Sequence, residues 1–93
     1  MTRNRALNTC LRVLSDGKRR DVVSRLTNYR EVRVGKRDNE ETIELGHVHL
    51  PKMADEGYID YEERSGGFHI ERGPQWMDIA DVFEAIQDSR LYE

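Results

Sequence analysis

Ile43-Glu-Leu-Gly-His-Val-His-Leu-Pro-Lys-Met-Ala-Asp-Glu-Gly57, followed at once by Tyr58-Ile-Asp-Tyr-Glu-Glu-Arg-Ser-Gly-Gly-Phe-His-Ile70, decides the fold of this chain. The first piece places Leu50, Met53 and Ala54, with Ile43 or Leu45, at helical spacing, and Gly57 supplies the left-handed residue that stops a helix. The second piece alternates: Tyr58, Asp60 and Glu62 oppose Ile59, Tyr61 and Glu63. It turns at Ser65-Gly66-Gly67 and comes back with Phe68 and Ile70 on one face. A helix from about Thr42 to Glu56 therefore runs straight into a two-stranded ribbon. Pro51 is awkward in that helix, because it has no backbone donor and belongs in a first turn. Either the helix bends at His47–Pro51 or its regular part starts near Val48.

Upstream, Leu7, Cys10, Leu11 and Leu14 recur at i, i+3, i+4 and i+7, one face of a first helix. Ser15-Asp-Gly17 interrupts it, and Asp16 is placed to cap a second helix that carries Val22, Val23 and Leu26 inward and reaches Tyr29. Glu31-Val-Arg-Val34 alternates as a short strand ended by Gly35, and Lys36 to Glu41 is a polar link. Downstream of Gly73-Pro74, Trp76, Ile79, Ala80, Phe83 and Ile86 fall at helical spacing, with Asp78, Asp81, Glu84 and Asp88 on the other face. The class is α+β.

With 93 residues the chain is one domain, burying about two-thirds of its unfolded surface, so a dimer that covers more is a natural expectation. The formal charge of -3 hides a polarity: residues 1–37 hold 11 Lys+Arg against 3 Asp+Glu, and residues 38–93 hold 4 against 15. That asymmetry points the basic part at nucleic acid or an acidic surface, unless the halves neutralise each other across the fold. Arginine outnumbers lysine 12 to 3, which together with the clustered acids fits a high-salt source. No apolar run approaches the roughly 18 residues of a membrane span, and Met1-Thr-Arg-Asn-Arg lacks the apolar stretch of a signal peptide. Cys10 has no disulfide partner, so a reducing cytoplasm is the expected compartment.

With these elements in order, the chain resembles the winged helix-turn-helix superfamily that includes the ArsR-type regulators. Leu14-Ser-Asp-Gly-Lys-Arg-Arg-Asp-Val-Val23 looks like the junction of its first two helices, and His49-Leu-Pro-Lys-Met-Ala-Asp-Glu-Gly-Tyr-Ile59 like the recognition-helix end and first wing strand. The likeness is closer to a group of haloarchaeal winged-helix domains of unassigned function. The Leu14-to-Arg20 and His47-to-Lys52 runs recur in that group. The likeness covers about residues 6–70; with the chain's length and the final apolar period it gives one domain over 1–93, with a winged-helix core at 6–72 and a helix at 75–92. The resemblance implies a DNA-binding transcription regulator of prokaryotic, archaeal type. It departs from the family in one place: between Leu26 and Thr42 the family has a full helix bracing the recognition helix, and here that helix is shortened or missing.

On this reading, phosphate contacts fall to Lys18, Arg19, Arg20, Arg33, Lys36 and Arg37, with Arg64 at the wing tip. Base readout falls to exposed positions of the third helix, chiefly Thr42, His47, His49 and Lys52. The stripe Trp76, Ile79, Ala80, Phe83 and Ile86 is expected to pair two chains, since a homodimer makes a palindromic reader of double-stranded DNA. His47 and His49 point about 200° apart on a helix, and with Cys10 and His69 they show no metal spacing; no metal or cofactor is expected. No nucleophile, base and orienting group stand in a recognisable order, so no enzyme is expected. An alternative keeps the fold and drops DNA. Glu40, Glu41 and Glu44 at the mouth of the third helix, with Glu62 and Glu63 on the wing, would repel phosphates and suit a protein partner. A continuous positive band over residues 18–20, 33–37 and Lys52 favours DNA, and a band cut by carboxylates favours protein.

Overall fold

A computed structural model of the chain describes residues 2–35 and 39–88. The order is α1 (Thr2–Val13), α2 (Gly17–Asn28), β1 (Glu31–Gly35), α3 (Glu40–Glu44), a π-helical turn (Leu45–His49), α4 (Leu50–Asp55), β2 (Ile59–Arg64), β3 (Gly67–Arg72) and α5 (Trp76–Gln87). The strands form one antiparallel sheet in the order β1-β3-β2. This is an α+β domain compatible with a winged-helix-like fold.

Local chemistry accounts for the boundaries. Asp16 is extended, and its Oδ1 accepts from the backbone N–H groups of Lys18 at 2.8 Å and Arg19 at 3.4 Å, closing the start of α2. Asn39 caps α3 the same way, its side-chain oxygen accepting from the Thr42 N–H at 2.9 Å. That cap starts the helix at Glu40, two residues before the expected Thr42. At the other end Gly57 takes φ 78°, the Tyr58 N–H reaches the Met53 carbonyl at 3.1 Å and the Gly57 N–H that of Ala54 at 2.9 Å. Those two bonds satisfy the last carbonyls of α4 before the chain turns into β2.

Pro51 explains the turn at Leu45–His49. Lacking an N–H, it leaves the His47 carbonyl without its α-helical donor, and the helix widens so that Leu50 N–H bonds back to Leu45 O, five residues earlier. Pro51 then sits in the first turn of α4, where it is tolerated. The expected irregularity near His47–Pro51 is thus a π turn within one run from Glu40 to Asp55. Leu45, not Ile43, is the partly buried partner of Leu50 and Met53 there; Ile43 is 51% exposed.

Cross-strand register puts Val32 opposite Ile70, Ile70 opposite Tyr61, and Val34 opposite Phe68, so these side chains share the sheet's inner face. They close a core with Cys10, Val13 and Leu14 of α1, Val22, Val23 and Leu26 of α2, Leu50 and Met53 of α4, and Trp76, Ile79 and Phe83 of α5. Cys10 is the small core side chain its position suggests; its Sγ lies 3.2 Å from Tyr58 Oη, and burial pushes the thiol up. Two expectations about apolar stripes need correction. The helical period sets Leu7 and Leu11 on one face with Cys10 and Leu14, yet they are 46% and 43% exposed. Trp76, Ile79 and Phe83, expected between two chains, are buried within one, because α5 lies across α1 and α2 and uses that stripe to complete the core. Ala80 and Ile86 are partly buried against the same core.

Candidate interaction surface

Arg19 is the first residue whose role only the fold reveals. Its guanidinium folds beneath α2, where Nε donates to Val13 O at 2.7 Å and Nη2 to Arg12 O at 3.4 Å. Nη1 donates to His49 Nδ1 at 3.1 Å. Arg19 is 8% exposed and His49 4%. A guanidinium only donates, so His49 Nδ1 is the acceptor and the ring proton sits on Nε2. That N–H points toward the Asp16 and Glu44 carboxylates at 3.9 and 3.8 Å, beyond direct hydrogen-bond range. Burial pushes the His49 imidazole below its ordinary value, and Arg19 and Lys18 add to that against the pull of Asp16 and Glu44. Burial acts to raise the Asp16 carboxyl, but the Lys18 and Arg19 N–H groups and the nearby positive charges win, and it stays low. These groups join the end of α1, the start of α2 and the π turn. They are a structural clasp.

Two of the expected DNA contacts are therefore corrected. Arg19 and His49 are buried and committed to each other, so neither faces phosphate or base. Other expected cations have partners as well. Lys18 Nζ bonds Glu44 Oε2 at 3.0 Å, which raises its ammonium above the ordinary value. Arg20 Nη1 donates to Leu14 O at 2.8 Å. Arg33 pairs with Glu31 at 3.4 Å, and Arg64 at the wing holds Glu62 at 2.7 Å. Lys36 and Arg37 lie outside the described residues. Thr42 is partly buried, while His47 and Lys52 are exposed.

No helix stands between Asn28 and Glu40 among the described residues; β1 takes part of that stretch. In place of the missing brace is an open groove between α2, β1 and α3, floored by Val22, Val32, Val34 and Leu45. The run from Glu40 to Asp55 is held instead by the Arg19–His49 clasp and by Gly46, which lies against the Phe68 ring. A Cβ on Gly46 would come within 2.5 Å of Phe68 Cζ, so any larger residue would force the ring or the helix to shift.

What faces outward from this run is acidic with two apolar points. Glu40, Glu41, Glu44, Asp55 and Glu56 are exposed, against Lys52 and His47. Ile43 and Val48 are 51% and 50% exposed. The outer face of the sheet is mixed, with Glu31, Asp60, Glu62 and Glu71 beside Arg33 and Arg64 around His69, whose Nε2 lies 2.7 Å from Glu31 Oε1. Among the described residues no three His, Cys, Asp or Glu side chains are grouped to hold a metal ion, and no helix is long and apolar enough to cross a membrane. Comparison of the chain with protein-family models, with curated proteins and with solved structures finds no match.

Proposed function

We propose that this chain is a winged-helix-like docking module of the cytoplasm that engages another protein through the outward face of its Glu40-to-Asp55 helix, with no cofactor and no catalysis. One observation carries the reading: the exposed charges of that helix and its C-terminal cap are mostly carboxylates (Glu40, Glu41, Glu44, Asp55 and Glu56, against Lys52). The neighbouring Lys18 is held by one of them, Glu44, as Arg33 is by Glu31. Among the described residues of the expected positive band, Lys18, Arg19, Arg20 and Arg33 are tied to acceptors within the fold, while Lys52 is exposed. Phosphates brought against this helix would meet mostly like charge.

The module acts as a homodimer. Leu7 and Leu11 on α1 and Val82, Ala85 and Ile86 on α5 line an apolar groove open to solvent. The charged residues of α1 are all arginine and those of α5 all aspartate or glutamate. A two-fold axis along the groove sets each α1 against the other chain's α5, matching opposite charges around an apolar seam. The interface then belongs to this groove and leaves Trp76, Ile79 and Phe83 to the core.

A second reading is the DNA-binding transcription regulator of archaeal, salt-adapted type that the resemblance implies. It is favoured by the helix running directly into the β2–β3 hairpin with β1 on the hairpin's far side, and by Lys36 and Arg37 next to that helix in sequence. Selection of bound genomic fragments at the salt concentration of the source cell separates the two. The docking reading expects no enriched sequence and no duplex affinity that responds to Arg37→Ala or His47→Ala. A single enriched motif whose binding is lost with His47→Ala overturns it.

A further inference from the structure

We infer that the partner is a cationic amphipathic helix, carrying apolar side chains on one face with Lys or Arg on its flanks, which seats on Ile43 and Val48. The inference rests on the docking reading above and names its ligand class. Five residues apart on a regular α-helix, Ile43 and Val48 would diverge. The π turn between them bonds five residues back instead of four, so the side chain five positions on returns toward the same side of the helix. Two β-branched side chains, each half exposed, thereby share one outward face with His47 between them.

The rear of this turn is pinned three ways. Gly46 meets the Phe68 ring, His49 bonds Arg19, and Leu50 is fully buried. The outward face is thus presented on a fixed backbone, which lowers the ordering cost of binding. Charge selects the occupant. Glu40 lies before the apolar pair along the helix, Glu44 between its members and paired with Lys18, and Asp55 and Glu56 after it. An apolar ridge flanked by Lys or Arg satisfies both features, and an acidic helix or a phosphate backbone satisfies neither. Acidity alone is a general means of staying hydrated in salt, but half-exposed Ile43 and Val48 do nothing for hydration.

The test titrates the full chain with a fluorescein-labelled helix of about 18 residues, or five turns, bearing Leu on one face and Arg on both flanks. A matched helix with Glu for Arg and a mixed-sequence DNA duplex serve as the other probes. Anisotropy is read at low and high salt, with melting curves for each variant. The Arg helix binds, the Glu helix does not, and both Ile43→Asp and Val48→Asp weaken binding about tenfold with unchanged melting. Those two variants decide the matter, because each adds negative charge. Attraction by charge alone grows in them, and docking on the apolar pair fails in them. If Val48→Asp binds the Arg helix as well as or better than the unaltered chain, the site is elsewhere and the inference is overturned. Equal binding of the Glu helix overturns the charge argument. Duplex binding that Val48→Asp abolishes overturns the docking reading itself.

Discussion

Arg19 and His49, separated by 30 positions in the chain, share a buried hydrogen bond in which Nη1 of the guanidinium donates to Nδ1 of the imidazole at 3.1 Å. The bond fixes the histidine tautomer and ties the start of α2 to the π turn. It also withdraws two residues from the surface that local reading assigned to nucleic acid.

Arg19→Ala should destabilise the chain by about 2–3 kcal/mol, because Val13 O and His49 Nδ1 are left buried without a donor. Urea unfolding measures it, with Arg12→Ala, an exposed arginine, as the comparison that should stay within about 0.5 kcal/mol. A midpoint for Arg19→Ala that matches the unaltered chain would remove the clasp from the account.

Stability should fall on mild acidification. His49 is held below its ordinary value of 6.5, so the unfolded chain takes up its proton first. The stability it contributes is complete above pH 6.5 and is lost as pH drops through the lower folded value. Asp16, held below 3.8, adds a further loss at more acidic pH as its carboxylate protonates. Unfolding midpoints across about pH 2–8 for the chain and for His49→Gln test this order of events, a range that spans the ordinary histidine and carboxylate pKa values. The variant should lose the slope just below pH 6.5 and keep the more acidic one.

Gly46→Ala should cost about 1–3 kcal/mol, because its Cβ meets the buried Phe68 ring at 2.5 Å and the ring or the helix must shift. Thermal melting reads the loss. Gly46→Ala combined with Phe68→Leu should recover part of it, since the shorter side chain yields space; strictly additive losses would argue against the contact.

Phe83→Asp and Leu11→Asp should fail in different ways. Phe83 is 2% exposed, so a buried aspartate there should cost at least about 3 kcal/mol and unfold much of the population. Leu11 is 43% exposed, so Leu11→Asp should fold normally and yield monomers in analytical ultracentrifugation where the unaltered chain is a dimer. If the unaltered chain is monomeric at high micromolar concentration, the homodimer reading is lost.

Cys10 should react with a thiol reagent only when the chain unfolds, since it is 1% exposed and its thiol is pushed up by burial despite the Tyr58 hydroxyl beside it. Modification at the native rate of an exposed thiol would mean α1 opens readily from α5.

Much of the frame was legible along the chain because its causes are local. Asp16 caps α2 through N–H groups two and three residues ahead, Gly57 stops α4 through its own φ, and alternation over Tyr58 to Ile70 sets the hairpin whatever else surrounds it. The period of Trp76, Ile79 and Phe83 likewise marks a helix with a buried side. What periodicity lacks is the identity of the covering surface. Only the packing of α5 over α1 and α2 assigned that stripe to one chain, and only it left Leu7 and Leu11 exposed beside Val82.

The surface chemistry was decided by tertiary structure for a related reason. A long cation takes whichever acceptors the fold brings within reach, and those of Arg19 lie at the end of another helix and on a histidine 30 positions away. Its one-dimensional signature matches that of a solvated arginine. The sequence by itself determined the helices, the hairpin and their order, because turn geometry and side-chain period act between near neighbours. Which charges stay free and which apolar side chains face water depends on contacts between distant segments, and those exist only once the chain has closed on itself.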